Sequence, residues 1–202
     1  IASAVYLTQY SNFKFFNKLI SYSADILSGV PSIIFGVFGY AIFCSGFKLG
    51  TSIIAGSVTM AISILPTVLR AAEDAMNNIP VSYKEASIAL GASRLRTIFM
   101  IILPSALPEI VVSASLCIGK IVGESAILIY TLGMSYSMPK NIFSHIFESG
   151  RTLTLHLYQI AKQANSGDSL AVTFATASVL LIFMFVLNIT ADFILKKIFH
   201  KK

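Results

Sequence analysis

Residues 82–104, SYKEASIALGASRLRTIFMIILP, decide how this chain is read. The stretch opens polar, basic and helix-prone between two long hydrophobic runs, so it has to meet water where its flanks meet lipid. Ser82 with Glu85 three residues on has the reciprocal spacing of a capping box, preceded by Pro80 and flanked by Val81 and Ala86 as a hydrophobic staple. That spacing predicts a helix beginning near Tyr83. Gly91 directly follows Leu90 and suits the left-handed position that ends a helix, and Ser93 is then placed to cap a second helix running toward Leu103 and Pro104. The expectation is two short helices joined by a glycine elbow. Ala86 and Ala89 are small enough for a partner to approach the backbone, with Lys84, Arg94 and Arg96 surrounding that contact with charge.

The flanks place the elbow beside a membrane. Of 202 residues, 55% are hydrophobic and only 12% charged, and the mean hydropathy is +0.79, whereas roughly a quarter of residues are charged in an ordinary soluble domain. Residues 1–10, IASAVYLTQY, read as the tail of an earlier hydrophobic helix, so the expectation is a chain that lacks its N-terminus; residues 11–18 read as an interfacial segment. Four complete spans are expected at 19–47, 51–69, 106–132 and 169–195. The first contains GVPSIIFG (29–36), whose small residues and proline a membrane helix tolerates and uses for close helix packing. The second follows after only a few residues around Lys48, an antiparallel hairpin, and a continuation over 70–79 leads to the elbow. Between the third and fourth spans, residues 133–168 form a mostly polar loop with Pro139, Gly150 and an amphipathic run at 153–162.

With the elbow on the inner side, ten basic residues lie inside: Lys14, Lys18, Arg70, Lys84, Arg94, Arg96, Lys196, Lys197, Lys201 and Lys202. Four lie outside, Lys48, Lys140, Arg151 and Lys162, and Lys120 falls within the third span. That asymmetry agrees with the positive-inside rule, and the spread of the bases along the chain argues against a nucleic-acid stripe. Cys44 and Cys117 sit in apolar runs and read as core or lipid-facing residues, not as a disulfide or metal site.

Lys120 and Glu124, in GKIVGESA (119–126), are one helical turn apart on a continuous helix and would project from the same face. A charge at that depth costs at least about 2.5 kcal/mol, and such groups pair up, face the bundle interior or line a pathway. Two readings stay open: an intrahelical ion pair that only stabilises the helix, or a lysine offering charge to a passing anion with a glutamate that limits its retention. Asp25 and Asp192 read as interfacial caps or partners of lysines, and Glu109 as an acid at a helix N-terminus. His145, His156 and His200 lack metal-site spacing, no serine lies in a nucleophile elbow, and no GxxxxGK[ST] loop is present to cradle ATP.

Glu85, Ala86, Gly91, Ile101, Leu103 and Pro104 stand at the spacing of the EAA loop of ABC-importer permeases, which residues 82–104 resemble; Ser87 departs by replacing the second alanine. GKIVGESA is similar to the basic-x-x-Gly-Glu-Thr/Ser pattern in the permeases of phosphate-specific importers, and GVPSIIFG resembles their preceding helix. LYQIAKQ (157–163), with a last span carrying VLN (186–188), resembles the A-type half of that pair. Lys120 stands where arginine is more usual and cannot make arginine's bidentate fork; Ser125 stands where threonine is commoner. The resemblance covers nearly the whole chain. It implies an all-α polytopic membrane protein with the type I ABC-importer permease fold, one transmembrane permease domain over 1–202, with 82–104 as a cytoplasmic coupling loop and 133–168 as an extracellular or periplasmic loop.

By the same resemblance the chain is not an enzyme and carries no cofactor or metal. It would sit in the bacterial cytoplasmic (inner) membrane with its C-terminus inside, and translocate inorganic phosphate by alternating access. Its partners would be ATPase subunits docked on Glu85, Ala86, Ser87, Gly91, Ile101, Leu103 and Pro104, a second homologous permease and a phosphate-binding protein. Lys120 and Glu124 would belong to the substrate pathway. A permease for sulfate, molybdate or an amino acid would keep the elbow without needing the lysine and glutamate; a secondary transporter or channel would need no ATPase.

Overall fold

The structure is a computed structural model that describes residues 1–10, 13–136, 145–163 and 167–199, and these form helices and turns. Helix α1 (Ala2–Val5) runs on as a wider π-helical turn, Tyr6–Tyr10; α2 spans Lys14–Gly29; α3 (Ser32–Gly39) continues as the π-helical Tyr40–Gly46; α4 is Ile53–Asn77. The elbow consists of α5 (Val81–Ala89) and α6 (Arg94–Thr97), and α6 passes through the π-helical Ile98–Ile102 into α7 (Leu103–Gly123). Helices α8 (Ala126–Thr131), α9 (Leu153–Gln163) and α10 (Gly167–Phe199) complete the described chain. Three described helices are long and apolar enough to cross a membrane, Ile53–Asn77, Arg94–Gly123 and Leu170–Ala191, with a fourth if α2 and α3 count as one broken span.

Apolar helices lie in all four expected stretches, but two of those stretches break where the sequence was read as continuous. Pro31, at φ −56° and ψ 135°, is extended, so residues 19–47 become two helices instead of one. The stretch 106–132 divides at Glu124 and Ser125: the long helix begins at Arg94 and stops at Gly123, and α8 is separate. By contrast α4 absorbs Pro66 and runs unbroken to Asn77, through most of the predicted exit at 70–79, since a proline in a lipid-embedded helix loses one bond that neighbouring groups can replace. The amphipathic run at 153–162 is α9. Pro139, Lys140, His200, Lys201 and Lys202 lie outside the described residues, as do the side chains of Lys14, Asp192, Lys196 and Lys197.

The chain divides into two compact units, and α4 and α7 each contribute to both. The first comprises Ile1–Ser28, Leu65–Ile118 and Thr190–Lys202. Its core gathers Ala72, Ala75 and Met76 of α4 with Ile98, Ile102, Ala106 and Ile110, and with Ala4 of α1; the alanines allow the helix backbones close together. Arg70 pairs with Glu73 one turn on at 3.3 Å and with Asp25 of α2, and donates to the Ser21 carbonyl at 2.6 Å. Asp25 is therefore the partner of an arginine, where an interfacial cap or a lysine's partner was expected.

The second unit is Gly29–Ile64 with Gly119–Ile189. Met60, Ile127, Leu128, Leu132 and Leu155 form its core. Two glycines carry the close packing anticipated in α3: a Cβ on Gly36 would meet the backbone of Ala126 and Ile127 at 3.1 Å, and one on Gly39 would overlap Thr59. The turn between α3 and α4 uses two left-handed residues, Lys48 (φ 56°) and Gly50 (φ 62°), which reverse the chain in a few residues. Cys44 and Cys117 are buried free thiols. Phe174 and Phe185 on α10 stand open, as lipid-facing bulk should.

Candidate functional site: the glycine elbow and the Lys120–Glu124 segment

The elbow begins two residues earlier than its sequence signals. Pro80 occupies the N-cap position of α5, no side chain caps that end, and the Pro80 carbonyl accepts from the Tyr83 amide at 3.1 Å. The Ser82–Glu85 capping box is therefore not formed. With Val81 already helical, Ser82 falls inside the first turn, and the preset φ of proline takes over the cap's role of orienting the chain.

The C-terminal end is as expected. Gly91 has φ +83°, its amide donates to the Ile88 carbonyl at 2.9 Å, and the Ala92 amide donates to the Ser87 carbonyl at 3.1 Å. Those two bonds make a left-handed helix cap. A Cβ on Gly91 would meet nothing within 4 Å, so the glycine is required by the sign of φ and not by crowding. Ser93 caps α6 by accepting from the Arg96 amide at 3.4 Å.

A buried hydroxyl pair holds the two arms together. Ser87 Oγ and Thr97 Oγ1 lie 2.9 Å apart, and the residues are 5% and 2% exposed. Thr97 donates its one proton to the Ser93 carbonyl at 3.1 Å, so Ser87 must donate to Thr97. Ser87, expected as a docking residue that departs from the usual alanine, thus also ties α5 to α6. Two small hydroxyl residues ten apart across a glycine elbow were the available signal.

Around this lock Tyr83, Ala86, Ser87, Leu90, Gly91, Ala92, Arg96 and Ile101 line a depression of about 500 Å³. It gathers four of the seven expected docking residues: Ala86, Ser87, Gly91 and Ile101. Glu85 is exposed on α5, Leu103 packs on the core, and Pro104 is exposed. Leu90 is 89% exposed at the tip, a large apolar side chain without a covering surface within the described chain. Lys84 points elsewhere: its Nζ donates to Gln9 Oε1 at 3.1 Å, joining the elbow to the turn that follows α1.

Lys120 and Glu124 do not form the expected pair. Helix α7 ends at Gly123, so the one-turn geometry is lost. The Glu124 carboxylate instead accepts from the Ala126 amide at 2.9 Å and caps α8, and the Glu124 carbonyl accepts from Thr154 Oγ1 at 3.3 Å. Lys120 is exposed in the last turn of α7 and has no ion-pair partner among the described residues. Glu109, expected at a helix N-terminus, sits inside α7 and accepts from Asn78 Nδ2 at 2.8 Å. His145 contacts Glu148 at 3.0 Å, and His156 accepts from Arg151 Nη1 at 3.0 Å.

Comparison with known proteins converges on one family. Residues 1–200 match the family described as binding-protein-dependent transport system inner membrane component. The chain is 31% identical over 210 residues to the probable ABC transporter permease protein YqgI of Bacillus subtilis, covering all of this chain and 71% of that protein. It is 34% identical over 202 residues to the phosphate transport system permease protein PstA homolog of Mycoplasma genitalium, covering 97% of this chain but only 30% of that longer relative. A solved structure described as inward-facing conformations of the MetNI methionine ABC transporter superposes with a TM-score of 0.76 at 20% identity, over 97% of this chain and 84% of the other, a likeness of fold. The chain thus belongs to the family of binding-protein-dependent transport system inner membrane components and is an ABC-importer permease subunit with the type I fold.

Proposed function

We propose that this chain is the A-type permease of a phosphate importer, and that residues 82–104 are its cytoplasmic coupling loop in a bacterial inner membrane. The observation that carries the reading is the elbow: a left-handed glycine cap, a buried Ser87–Thr97 lock and a bare Leu90 tip beside a depression. A rigid, partly apolar projection is what a push from outside the membrane requires, because a flexible loop would absorb the displacement. ATP hydrolysis on separate ATPase subunits supplies that push at Glu85, Ala86, Ser87 and Gly91, and the elbow passes it through Ile101, Leu103 and Pro104 into α7. Phosphate arrives from a binding protein and crosses beside a second permease by alternating access.

Lys120 has no ion-pair partner among the described residues, and its exposed ammonium would offer charge to a passing oxyanion. Glu124 works through the α7–α8 break. The phosphate assignment is supported by the named relative in Mycoplasma genitalium and by similar proteins such as phosphate transport system permease protein PstA 1 of Mycobacterium tuberculosis, 32% identical over 143 residues.

Uptake of labelled phosphate, sulfate and methionine by membranes carrying the whole transporter tests the substrate. Phosphate alone should accumulate, dependent on ATP; accumulation of sulfate or methionine in its place assigns another substrate to the same permease. Co-purification tests the coupling loop: an ATPase should be retained by the native chain and lost when Glu85 and Gly91 are both replaced. Retention of the ATPase by that variant would remove the elbow from the interface.

A further inference from the structure

The second unit contains a cavity of about 760 Å³, within the roughly 300–1,000 Å³ typical of small-molecule sites. Its lining is aliphatic and aromatic, with Met60, Ile64, Ile121, Leu128 and Phe183 prominent; Ser57, Arg151 and Thr152 are the polar residues among the described lining. Arg151 is the charged end of this apolar space. Its guanidinium lies 3.7 Å over the Tyr136 ring, and Nη1 donates to His156 Nδ1 at 3.0 Å. Nε and Nη2 are buried and have no hydrogen-bond partner among the described residues.

A guanidinium keeps its charge, and buried donors left without acceptors are costly. Nε and one Nη present the side-on fork that fits two oxygens of a phosphate or carboxylate. An inorganic oxyanion would satisfy that fork and leave the hydrocarbon wall unfilled; a neutral hydrocarbon would do the reverse. One molecule with an anionic head and an apolar tail satisfies both. The bilayer is the source at hand, because Leu180 and Phe183 of the cavity wall belong to α10, whose most apolar stretch within Leu170–Ala191 has no buried residue.

We propose that this cavity binds an anionic phospholipid from the surrounding membrane, with the headgroup phosphate on Nε and Nη2 of Arg151 and an acyl chain against Met60, Ile64, Ile121 and Phe183. The site is independent of which solute the permease carries.

Residues 1–202 hold no tryptophan, so Phe183→Trp places a tryptophan reporter in the wall, with any tryptophan outside these residues replaced by phenylalanine. The full-length variant is reconstituted in phosphatidylcholine bilayers, and its quenching by brominated phosphatidylglycerol is compared with that by brominated phosphatidylcholine at equal mole fraction. Phosphatidylglycerol should be favoured about fivefold, the effect of one basic residue on an anionic lipid. Adding Arg151→Gln should bring the ratio to about one by removing that same attraction. Equal quenching by the two lipids with Arg151 present, or an unchanged preference in Arg151→Gln, overturns the proposal. So does loss of the preference on adding excess inorganic phosphate, which would make Arg151 a free-anion site, or protection from both lipids in the assembled transporter, which would make the cavity a subunit interface. If Arg151→Gln does not insert, Ala61→Phe fills the cavity while keeping the arginine. It should cut quenching by brominated phosphatidylglycerol to the phosphatidylcholine level, and a preference that survives it places the lipid elsewhere.

Discussion

The elbow and the stretch around Lys120 are both turns between helices, yet one is held by its own local chemistry and the other by what packs beside it. At the elbow the bonds that fix the bend join residues close in sequence: the Gly91 and Ala92 amides reach back to Ile88 and Ser87, and Ser87 bonds Thr97, which donates on to the Ser93 carbonyl; Lys84 reaches out of it, to Gln9. Around residue 124 the local rule favoured a continuous helix, and the break is secured by groups distant in sequence. Thr154 donates to the Glu124 carbonyl, and α8 lies against Gly36. A turn of the first kind can move as one piece, whereas a turn of the second kind is sensitive to shifts of its neighbours, as the proposed coupling role of the one and pathway role of the other would require.

The largest expected effect tests the lever. Gly91→Pro cannot adopt φ +83° and also loses the amide that bonds Ile88; transport should fall by about tenfold or more, as a strain of roughly 1–3 kcal/mol in the elbow predicts. Membrane insertion should stay normal, and normal solute uptake alongside it would end the idea that elbow geometry matters. Next, Gly39→Val should lower the unfolding midpoint in detergent by the equivalent of about 1–3 kcal/mol, because the new side chain overlaps Thr59. Gly29→Ala, which meets nothing within 4 Å, serves as the control.

The hydroxyl lock gives an intermediate effect. Thr97→Val leaves the Ser87 donor buried without its acceptor and should cost about 1–3 kcal/mol, while Ser87→Ala leaves Thr97 bonded to Ser93 and should cost about 0.5–1.5 kcal/mol. The double variant should cost less than the sum, measured by denaturation of the purified protein; strict additivity would mean that the two hydroxyls do not interact.

The smallest stability effect is expected at Lys120, where Lys120→Gln should stay within about 0.5 kcal/mol of the native chain because it breaks no ion pair among the described residues. Glu124→Ala should cost about 0.5–2 kcal/mol by uncapping α8. A double-mutant coupling well above zero would restore the Lys120–Glu124 pair and erase the contrast between the two turns. Uptake is the separate readout: Lys120→Gln should reduce it while the ATPase remains bound.

Several features were legible without coordinates because their causes are local. Gly91 announces a left-handed cap, Ser93 a helix start, GVPSIIFG a closely packed membrane helix, and the hydropathy the presence of spans. The misreadings share a different cause. Ser82 and Glu85 satisfy the spacing of a capping box, but Pro80 had already started the helix. Lys120 and Glu124 satisfy the spacing of an ion pair, but the helix between them ends. Glu109 follows a proline as a helix-starting acid would, yet α7 is continuous through Pro108, and Asn78 supplies its partner from another helix.

From the order of residues alone came the membrane class, the elbow and its glycine, since these depend on backbone stereochemistry and on the transfer of apolar side chains out of water within short windows. Only the folded chain decided that Ser87 locks to Thr97, that Lys84 turns to Gln9, that Glu124 caps α8 and that Arg151 ends in an apolar cavity with two donors unmet among the described residues. Each of these depends on which surfaces of different segments come within hydrogen-bonding distance, and helix packing sets that distance where sequence spacing does not.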